Sequence, residues 1–526
     1  RQESGAGGSR YPDVNRAIIN QFNSGNLIWN YNGHGSYSRL AEEDVLDQSM
    51  INQFSNQGRW PLLITATCDF APYDNPLVSS IGENLLLRPS TGAIALMTTN
   101  RLVFAFSNKV INRNYTAIAF HPKANGEYPS LGEAVRWTKN YTYSYSGDIV
   151  NNRKFTLLGD PALTLAFPRQ RLRITSINGK PRGNNSDTLR ALSNYQFTGE
   201  VTDIAGNRLN DFTGTVYVEL YDKQHYKMTL GNDPGSPPVA FPVQDNLIFR
   251  GKATVTNGEF SFAFVVPKDI AYAYGRGRLS LYANSNSEDG NAVDTSLLVG
   301  GTGAGSDDDQ GPVIEAWLND RKFVNGGLSN AQPILLLDLS DSSGINILGT
   351  GIGHNLQAML DNDPSQVFVL NDYYTANADS YKKGTVRFPL PALEKGLHRL
   401  SIRAWDVANN SSEAVLDFHV QGSENLELEH VLNYPNPFTT HTSFWFDHNR
   451  PGEQLDISLR IFTISGKLVK TIRNTIFSAG NRSNEVNWDG RDDFGSRLAR
   501  GVYIYQLRVK TQDGKSAAKW EKLYIL

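Results

Sequence analysis

Cysteine is almost absent from the chain, which has Cys68 as its one cysteine in 526 residues. A single cysteine excludes an internal disulfide and leaves no cysteine cluster for zinc. No apolar run reaches the ~18–20 residues that a membrane-spanning helix needs. The formal net charge is only −3 and the basic residues are scattered, so we expect no nucleic-acid partner.

What is present is a multidomain pattern that changes near residue 167. Strands alternate with helical patterns before that point, whereas period-two strands and turn signals dominate after it. The segment "VGGTGAGSDDDQGP" combines glycine with an acidic run and is typical of a flexible linker. The pattern predicts an α/β domain followed by three antiparallel β-sandwich, immunoglobulin-like domains. The predicted bounds are 1–167 for the α/β domain, 168–298, 313–421 and 424–526 for the β-sandwiches, and 299–312 for the linker.

The first region carries three apolar strand candidates, "LIWNYN", "LLITATC" and "GAIALMTT". Helix candidates stand between and after them, and a strand–helix–strand order indicates parallel pairing with right-handed crossovers. The predicted helices are "AEEDVLDQSMINQF", "LVSSIGENLLLR" and the segments around 106–119 and 130–141.

Two reactive side chains follow two of these strands. His34 stands in "NYNGHGS" and Cys68 ends "LLITATC", 34 residues later. Reactive groups collect at the carboxyl ends of parallel strands, and the spacing leaves room for a crossover helix. An adjacent imidazole can take the thiol proton, which a cysteine nucleophile needs. The spacing therefore predicts a His34–Cys68 dyad.

The glycine after the histidine suggests how a peptide carbonyl would be held. Gly35 has no Cβ, so its N–H is accessible, and with the N–H of Cys68 it could form an oxyanion hole. The alternative is structural: a cysteine ending a buried strand is often a small core residue, and Gly-His-Gly can be only a turn. Asp69 directly follows the cysteine and is interpreted as structural, because alternation along a continuing strand would turn its side chain away.

The motif residues "NYNGHGS", "TATC" and "FTLLGDPALTL" resemble the gingipain family of caspase-like cysteine peptidases. The resemblance covers about residues 10–167. It implies that His34 is the general base, that Cys68 is the nucleophile, and that the Gly35 and Cys68 amides hold the oxyanion. Thr99 and Asn100 fall where the family lines its substrate pocket. Some family site residues lie upstream of the histidine, so no third catalytic member is assigned, and we expect a processed or partial chain.

The tail carries a second resemblance. "YPNPF" begins it, and "ISGK", "NWDG" and "GVYIY" follow in the later strand candidates. These motifs are similar to the C-terminal sorting domain of proteins exported by the type IX secretion system of Bacteroidota. A passive immunoglobulin-like module is the alternative for this region.

A chain that combines these two regions is similar to the sortases of that secretion system, which are gingipain-family enzymes. They imply a cell-surface enzyme, peripherally attached to the outer membrane. It would cleave the sorting domain of secreted cargo through a Cys68 thioester and transfer the cargo to anionic lipopolysaccharide. The implied partners are the outer-membrane barrel PorV and an attachment complex with PorQ and PorZ.

Two other functions stay open at this point. The chain could be a secreted gingipain-like endopeptidase that is itself cargo, or a non-catalytic surface adhesin or scaffold. We expect no cofactor and no catalytic metal. Calcium binding at the acidic residues Asp307–Asp309 is left open.

Overall fold

The chain divides by its internal contacts into two units, Arg1–Phe167 and Pro168–Leu526. The fold comes from a computed structural model, which describes residues 3–5, 8–182, 188–231, 235–303, 305, 308–349, 353–421 and 425–526.

A four-stranded sheet is the centre of the first unit. Its strands, in spatial order, are β1 (Ile28–Asn32), β2 (Leu62–Ala66), β3 (Ala95–Thr99) and β4 (Phe155–Leu158). The predicted parallel pairing is confirmed for β1, β2 and β3, whereas β4 runs antiparallel to β3. Short hairpins accompany the sheet, formed by Glu3–Gly5 with Gly8–Arg10 and by Arg39–Leu40 with Leu46–Asp47.

Six helices surround this sheet in the described part of the unit. Two begin with a capping box, Ser80 with Glu83 and Ser130 with Glu133, in which serine and glutamate satisfy each other's backbone N–H groups. The helices are α1 (Pro12–Ser24), α2 (Gln48–Ile51), α3 (Ile81–Leu87), α4 (Ala105–Ala119), α5 (Leu131–Ser146) and α6 (Ile149–Arg153).

The helix predicted over "AEEDVLDQSMINQF" is wrong for most of its length. Only the single turn α2 is helical there. Ala41 and Asp44 have φ values of 58° and 51°, which a right-handed helix does not allow. Asp47 then starts α2 by accepting a hydrogen bond from the Met50 N–H, so the acidic residues form turns and a cap.

Alternate residues of β2 pack on the two faces of the sheet. Leu63 belongs to a core with Phe22 and Leu85, whereas Leu62 and Ile64 belong to a core with α4 and α5. Burial on both faces accounts for the continuous apolar run of this strand.

The second unit begins with an eight-stranded sheet that closes on itself. All neighbours along the sheet pair antiparallel, but Asp289–Asp294 also pairs in parallel with Gln170–Ile177. This closure departs from the predicted two-sheet sandwich. The strands in spatial order are Lys180–Pro181, Gln170–Ile177, Asn194–Thr202, Glu259–Val265, Leu247–Thr256, Gly214–Tyr221, Arg278–Asn284 and Asp289–Asp294.

Smaller sheets flank the closed sheet. Leu298–Thr302 pairs in parallel with Thr188–Ala191 and antiparallel with Gly275–Arg276, and a hairpin joins His225–Met228 to Ala240–Val243. The first of these strands runs into the predicted linker 299–312, because Val299 is buried and paired with neighbouring strands. That part of the linker is therefore not flexible coil.

Two further pairs of sheets follow in the second unit. The first pair has four and five strands, and the second pair has three and four. A short 3₁₀ helix, Asn371–Tyr373, precedes one strand of the first pair. In the first pair, the four-stranded sheet has the spatial order Val313–Leu318, Ile334–Ser340, Lys383–Pro389 and Tyr374–Ala376, and the five-stranded sheet has the order Leu328–Ser329, Ser411–Val420, Gly396–Trp405, Gln357–Leu360 and Val367–Val369. In the second pair, the three-stranded sheet has the order Leu428–Tyr434, Thr442–His448 and Arg482–Trp488, and the four-stranded sheet has the order Leu468–Ser478, Glu453–Thr463, Gly501–Thr511 and Ser516–Ile525.

Candidate active site

The two predicted catalytic residues follow neighbouring strands at the same edge of the sheet. Asn32, the last residue of β1, lies opposite Ala66, the last residue of β2. His34 and Cys68 each stand two residues beyond this pair. The structure thus places both in adjacent turns, as parallel pairing predicts.

Two hydrogen bonds to the carbonyl oxygen of His34 hold the turn that carries this residue. The Tyr31 hydroxyl donates to the His34 carbonyl oxygen at 2.7 Å, and the Ala41 N–H donates to the same atom at 2.9 Å. Burial, as the largest cause, raises the pKa of Tyr31, so its hydroxyl stays protonated as a donor. The His34 side chain itself is exposed.

The turn that carries Cys68 leaves the strand abruptly. Cys68 is half-buried, and its Sγ lies 3.6 Å from the carbonyl oxygen of Val103. Asp69 has a φ of 44°, a left-handed conformation that is uncommon for a residue with a side chain. Because β2 ends at Ala66, strand alternation does not decide where the Asp69 side chain points, contrary to our sequence argument.

Gly35 joins the two turns. A Cβ added to Gly35 would lie 2.6 Å from the Thr67 Oγ1 and 3.0 Å from the Leu40 Cδ2. The backbone of the histidine turn therefore packs directly against the residue before Cys68. Only glycine fits this approach without displacing a neighbour.

Two backbone amides at this edge have no acceptor. Across the part of the chain that the structure describes, neither the Gly35 N–H nor the Cys68 N–H donates a hydrogen bond, whereas the next amide in each turn does: Ser36 donates to the Arg39 carbonyl and Asp69 to the Arg101 carbonyl. Gly35 and Cys68 are both half-buried, so their unpaired N–H groups do not carry the full cost of a buried donor without a partner. These two are the amides that the sequence predicts as oxyanion donors.

Thr99 lies behind the Cys68 turn and is 0% exposed. Its hydroxyl donates to the Thr67 carbonyl, and its carbonyl accepts the Ala71 N–H at 2.9 Å. The Phe70 N–H approaches the same hydroxyl at 3.5 Å. Thr99 thus supports the turn, a role that the sequence did not predict, and its side chain does not face solvent.

Asn100 continues this support one residue later. Its N–H donates to the Lys154 carbonyl at 3.0 Å, and its carbonyl accepts from Arg101. Arg101 also forms two hydrogen bonds with the Asp74 carboxylate, of 2.8 and 2.6 Å. The hydrogen bond from Arg101 is the main cause that lowers the pKa of Asp74. This pair holds the segment after β3 beside the segment after Cys68.

An exposed apolar wall runs past the thiol. Leu102, Phe104 and Phe106 are each more than half exposed, and the carbonyl of the intervening Val103 contacts the Cys68 Sγ. The Phe104 N–H donates to the Asn151 Oδ1 at 2.9 Å, which fixes the wall to α6. The alternating sequence "RLVFAF" is the signal that could have indicated this wall.

No third catalytic residue emerges from the contacts. Among the described residues, no carboxylate forms a hydrogen bond or ion pair with the His34 imidazole. The described part of the first unit also holds no group of three metal-ligating side chains.

None of the helices that the structure describes has both the length and the apolar composition of a membrane-spanning helix.

Residues 1–166, which include His34 and Cys68, match the model described as Peptidase family C25. A comparison with curated proteins gives no match.

Solved structures give several similar chains. The crystal structure of dimeric latent PorU from Porphyromonas gingivalis is 27% identical, covers 84% of this chain and 41% of its own, and has a TM-score of 0.33. The Arg-specific cysteine proteinase gingipain R is 15% identical over 54% of this chain and 55% of its own, with a TM-score of 0.28. The RgpB complex of pro- and mature domains from Porphyromonas gingivalis is 16% identical over 54% and 56%, with a TM-score of 0.27.

This chain spans about two fifths of the length of the PorU chain, 41%. It is similar to PorU, and its residues 1–166 match peptidase family C25.

Proposed function

We propose that the chain carries the dyad of a cysteine endopeptidase and transpeptidase. The observation that carries this proposal is the pair of unpaired N–H groups of Gly35 and Cys68, which stand in adjacent turns with the thiol and the imidazole. The match of residues 1–166 to peptidase family C25 supports the peptidase part of this proposal.

The mechanism uses the residues of the two turns. His34 takes the Cys68 proton, and the thiolate attacks the scissile carbonyl while the Gly35 and Cys68 amides donate to the oxyanion. Imidazolium then gives its proton to the leaving amine as the C–N bond breaks, which leaves an acyl-thioester on Cys68. Water would release a free acid, whereas an incoming amine would form a new amide and regenerate the thiol.

The segment after β3 would bind the substrate. Leu102, Phe104 and Phe106 expose apolar surface beside the thiol, which favours a peptide with a large apolar side chain near the scissile bond. Thr99 and Asn100 would contribute by shaping the backbone of this segment.

In the cell we propose the role of a sortase of the type IX secretion system. The enzyme would stand on the cell surface, peripherally attached to the outer membrane. It would cleave the sorting domain from cargo and transfer the new carboxyl terminus to an amine of anionic lipopolysaccharide. PorV would be its membrane partner, in a complex with PorQ and PorZ. The motifs of residues 424–526 support the terminal immunoglobulin-like, sorting-type domain.

Mass spectrometry of the full-length protein, mixed with a sorting-domain cargo and an added amine, tests the reaction. We expect a transient acyl adduct on Cys68 and an amine-capped product, both absent with Cys68→Ala and His34→Ala. His121→Ala, an exposed histidine of the same unit, is the matched control and should keep full activity.

Other products would identify other functions. Free acid alone would favour a protease that is itself cargo. No adduct with the wild-type protein, together with normal surface assembly of Cys68→Ala, would favour a scaffold or adhesin.

A further inference from the structure

A group of three carboxylates converges in the second unit, far in sequence from the proposed catalytic residues. Asp308, Asp341 and Asp406 each offer one oxygen, and these three atoms lie within 4.8 Å of one another. Asp308 follows the strand Leu298–Thr302, Asp341 follows Ile334–Ser340, and Asp406 follows Gly396–Trp405. Three separate segments therefore meet at one point.

The carboxylates repel one another at this distance. Asp406 is 0% exposed, so its carboxylate is removed from solvent beside two other carboxylates. Within the described residues, no Lys or Arg forms an ion pair with Asp341 or Asp406. Buried charges are normally paired or bound to a metal.

The Asp341 and Asp406 carboxylates also keep lone pairs for a further ligand. Asp341 accepts hydrogen bonds through Oδ1, from the Ser343 and Gly344 N–H groups and the Ser343 hydroxyl. Asp406 accepts from Asn410 at both oxygens, with distances of 2.6 and 2.7 Å. Asp308 accepts from the Ser342 hydroxyl at 2.6 Å and from the Gln310 N–H at 3.2 Å. An ionised carboxylate has about four acceptor sites, so the bonds made by Asp341 and Asp406 leave room for a cation.

A buried hydroxyl directed toward the same end of the sheet is a second observation that points to a ligand. Tyr374 is 2% exposed, and its Oη has no hydrogen-bond partner among the described residues. Its ring lies over Gly384, since a Cβ added there would be 2.4 Å from the Oη. Gly384 pairs with Leu339, two residues before Asp341, so the hydroxyl is directed toward the carboxylate end of the sheet.

The charge of Asp341 agrees with this orientation. Burial is the main cause that raises the pKa of Tyr374, and the Asp341 carboxylate adds to it. A buried hydroxyl without a partner costs free energy. A cation with its bound water would supply that partner.

We propose that Asp308, Asp341 and Asp406 bind a calcium ion. The three oxygens lie within 4.8 Å of one another, so one ion can contact all of them. Ca²⁺ takes six to eight oxygen ligands in a flexible geometry, which carboxylates from three separate segments can begin to supply, whereas Mg²⁺ demands a near-ideal octahedron and usually keeps several waters. The ion would clamp the segment around Asp308 onto the ends of the two strands.

Terbium luminescence on the intact protein tests the site. Tb³⁺ replaces Ca²⁺ at oxygen sites, and Trp405, next to Asp406, and Tyr374 are placed to sensitise its emission. We expect a saturable signal that Ca²⁺ displaces and Mg²⁺ does not. Asp341→Asn and Asp406→Asn should each weaken binding roughly tenfold or more, since ligand charge sets calcium affinity.

Asp417→Asn is the matched control. It removes a carboxylate of the same pair of sheets, which is bonded to Arg399, and should leave the terbium signal unchanged. Thermal unfolding of the wild type gives a second measurement that needs no variant: Ca²⁺ should raise the midpoint and a chelator should reverse the rise. The absence of a saturable terbium signal, the same signal in Asp406→Asn, or a midpoint insensitive to Ca²⁺ would each overturn the proposal.

Discussion

Gly35 and Thr67 stand so close that a single methyl group on the glycine would lie 2.6 Å from the threonine hydroxyl oxygen. This contact joins the turn of His34 to the turn of Cys68. It is formed between residues one position away from each proposed catalytic group. The relative placement of imidazole and thiol therefore depends on the absence of a side chain at Gly35.

Gly35→Ala tests that dependence. The added methyl must push the two turns apart, and a displacement of about 1 Å costs roughly a hundredfold in rate. We expect kcat/KM to fall by that order while the unfolding midpoint changes little. Gly35→Ala combined with Thr67→Ala should recover part of the activity, because it removes the nearest clashing atom. A single variant with wild-type kcat/KM would contradict the proposed role of this contact.

Thr99 is expected to act through Cys68 without touching substrate. Thr99→Val removes the hydroxyl that bonds the Thr67 carbonyl, and an unsatisfied buried group costs about 1–3 kcal/mol of stability. The rate of Cys68 alkylation by iodoacetamide should change as well, because the turn loses its support. Thr99→Ser keeps the hydroxyl and should restore the wild-type rate.

Thr98→Val separates this effect from general destabilisation. The Thr98 hydroxyl accepts a buried bond from Thr65 at 2.6 Å but does not touch the Cys68 turn. It should lower stability and leave the alkylation rate unchanged. Equal changes of the alkylation rate in both variants would argue against positioning by Thr99.

Much of the candidate site could be predicted because parallel strands place their carboxyl ends together. The strand ends before His34 and Cys68, and the glycine beside the histidine, are local features of the sequence. The support by Thr99 could not be predicted, because it depends on the neighbouring strand and on a turn that leaves β2 at Ala66.

In the fold, too, some elements could be predicted from local sequence patterns, whereas others depend on contacts with distant residues. The helices α4 and α5 carry long amphipathic patterns and lie close to their predicted bounds. The acidic segment before Asp47 has helix-forming residues, yet Ala41 and Asp44 adopt left-handed conformations in a short hairpin. Closure of the eight-stranded sheet by Asp289–Asp294 joins strands more than 100 residues apart, which no local pattern indicates.

The apolar wall should determine which peptide is cleaved. Phe104→Ala removes exposed apolar surface beside the thiol, and loss of such contacts costs roughly tenfold or more in kcat/KM. We expect this loss for a peptide with a large apolar residue near the scissile bond, and little change for one with alanine there. Leu77→Ala, another exposed apolar residue of the unit, is the control. Equal losses on both peptides would contradict a role in specificity.

Acid should weaken the terminal β region through His448. Burial lowers the pKa of this imidazole to about 3, from an ordinary value of 6.5. Its Nδ1 accepts the Arg450 N–H at 3.1 Å, and its Nε2 lies 2.8 Å from the Ser478 hydroxyl oxygen, so the neutral ring is held between two partners. Protonation would place a charge in the core and remove the acceptor.

The direction of the pH dependence of stability follows from which state, folded or unfolded, binds the proton. The unfolded chain takes up the proton near pH 6.5 and the folded chain does not, so this contribution to stability is complete above pH 6.5. It is lost as the pH falls toward 3, at about 1.4 kcal/mol per pH unit. Urea unfolding of the whole chain, followed by hydrogen exchange of the backbone amides in the strands Thr442–His448 and Arg482–Trp488, should show the loss between pH 6.5 and 4. His448→Gln should flatten that dependence, whereas the exposed His441→Gln should keep it, and a wild-type dependence in His448→Gln would assign the acid sensitivity to other groups.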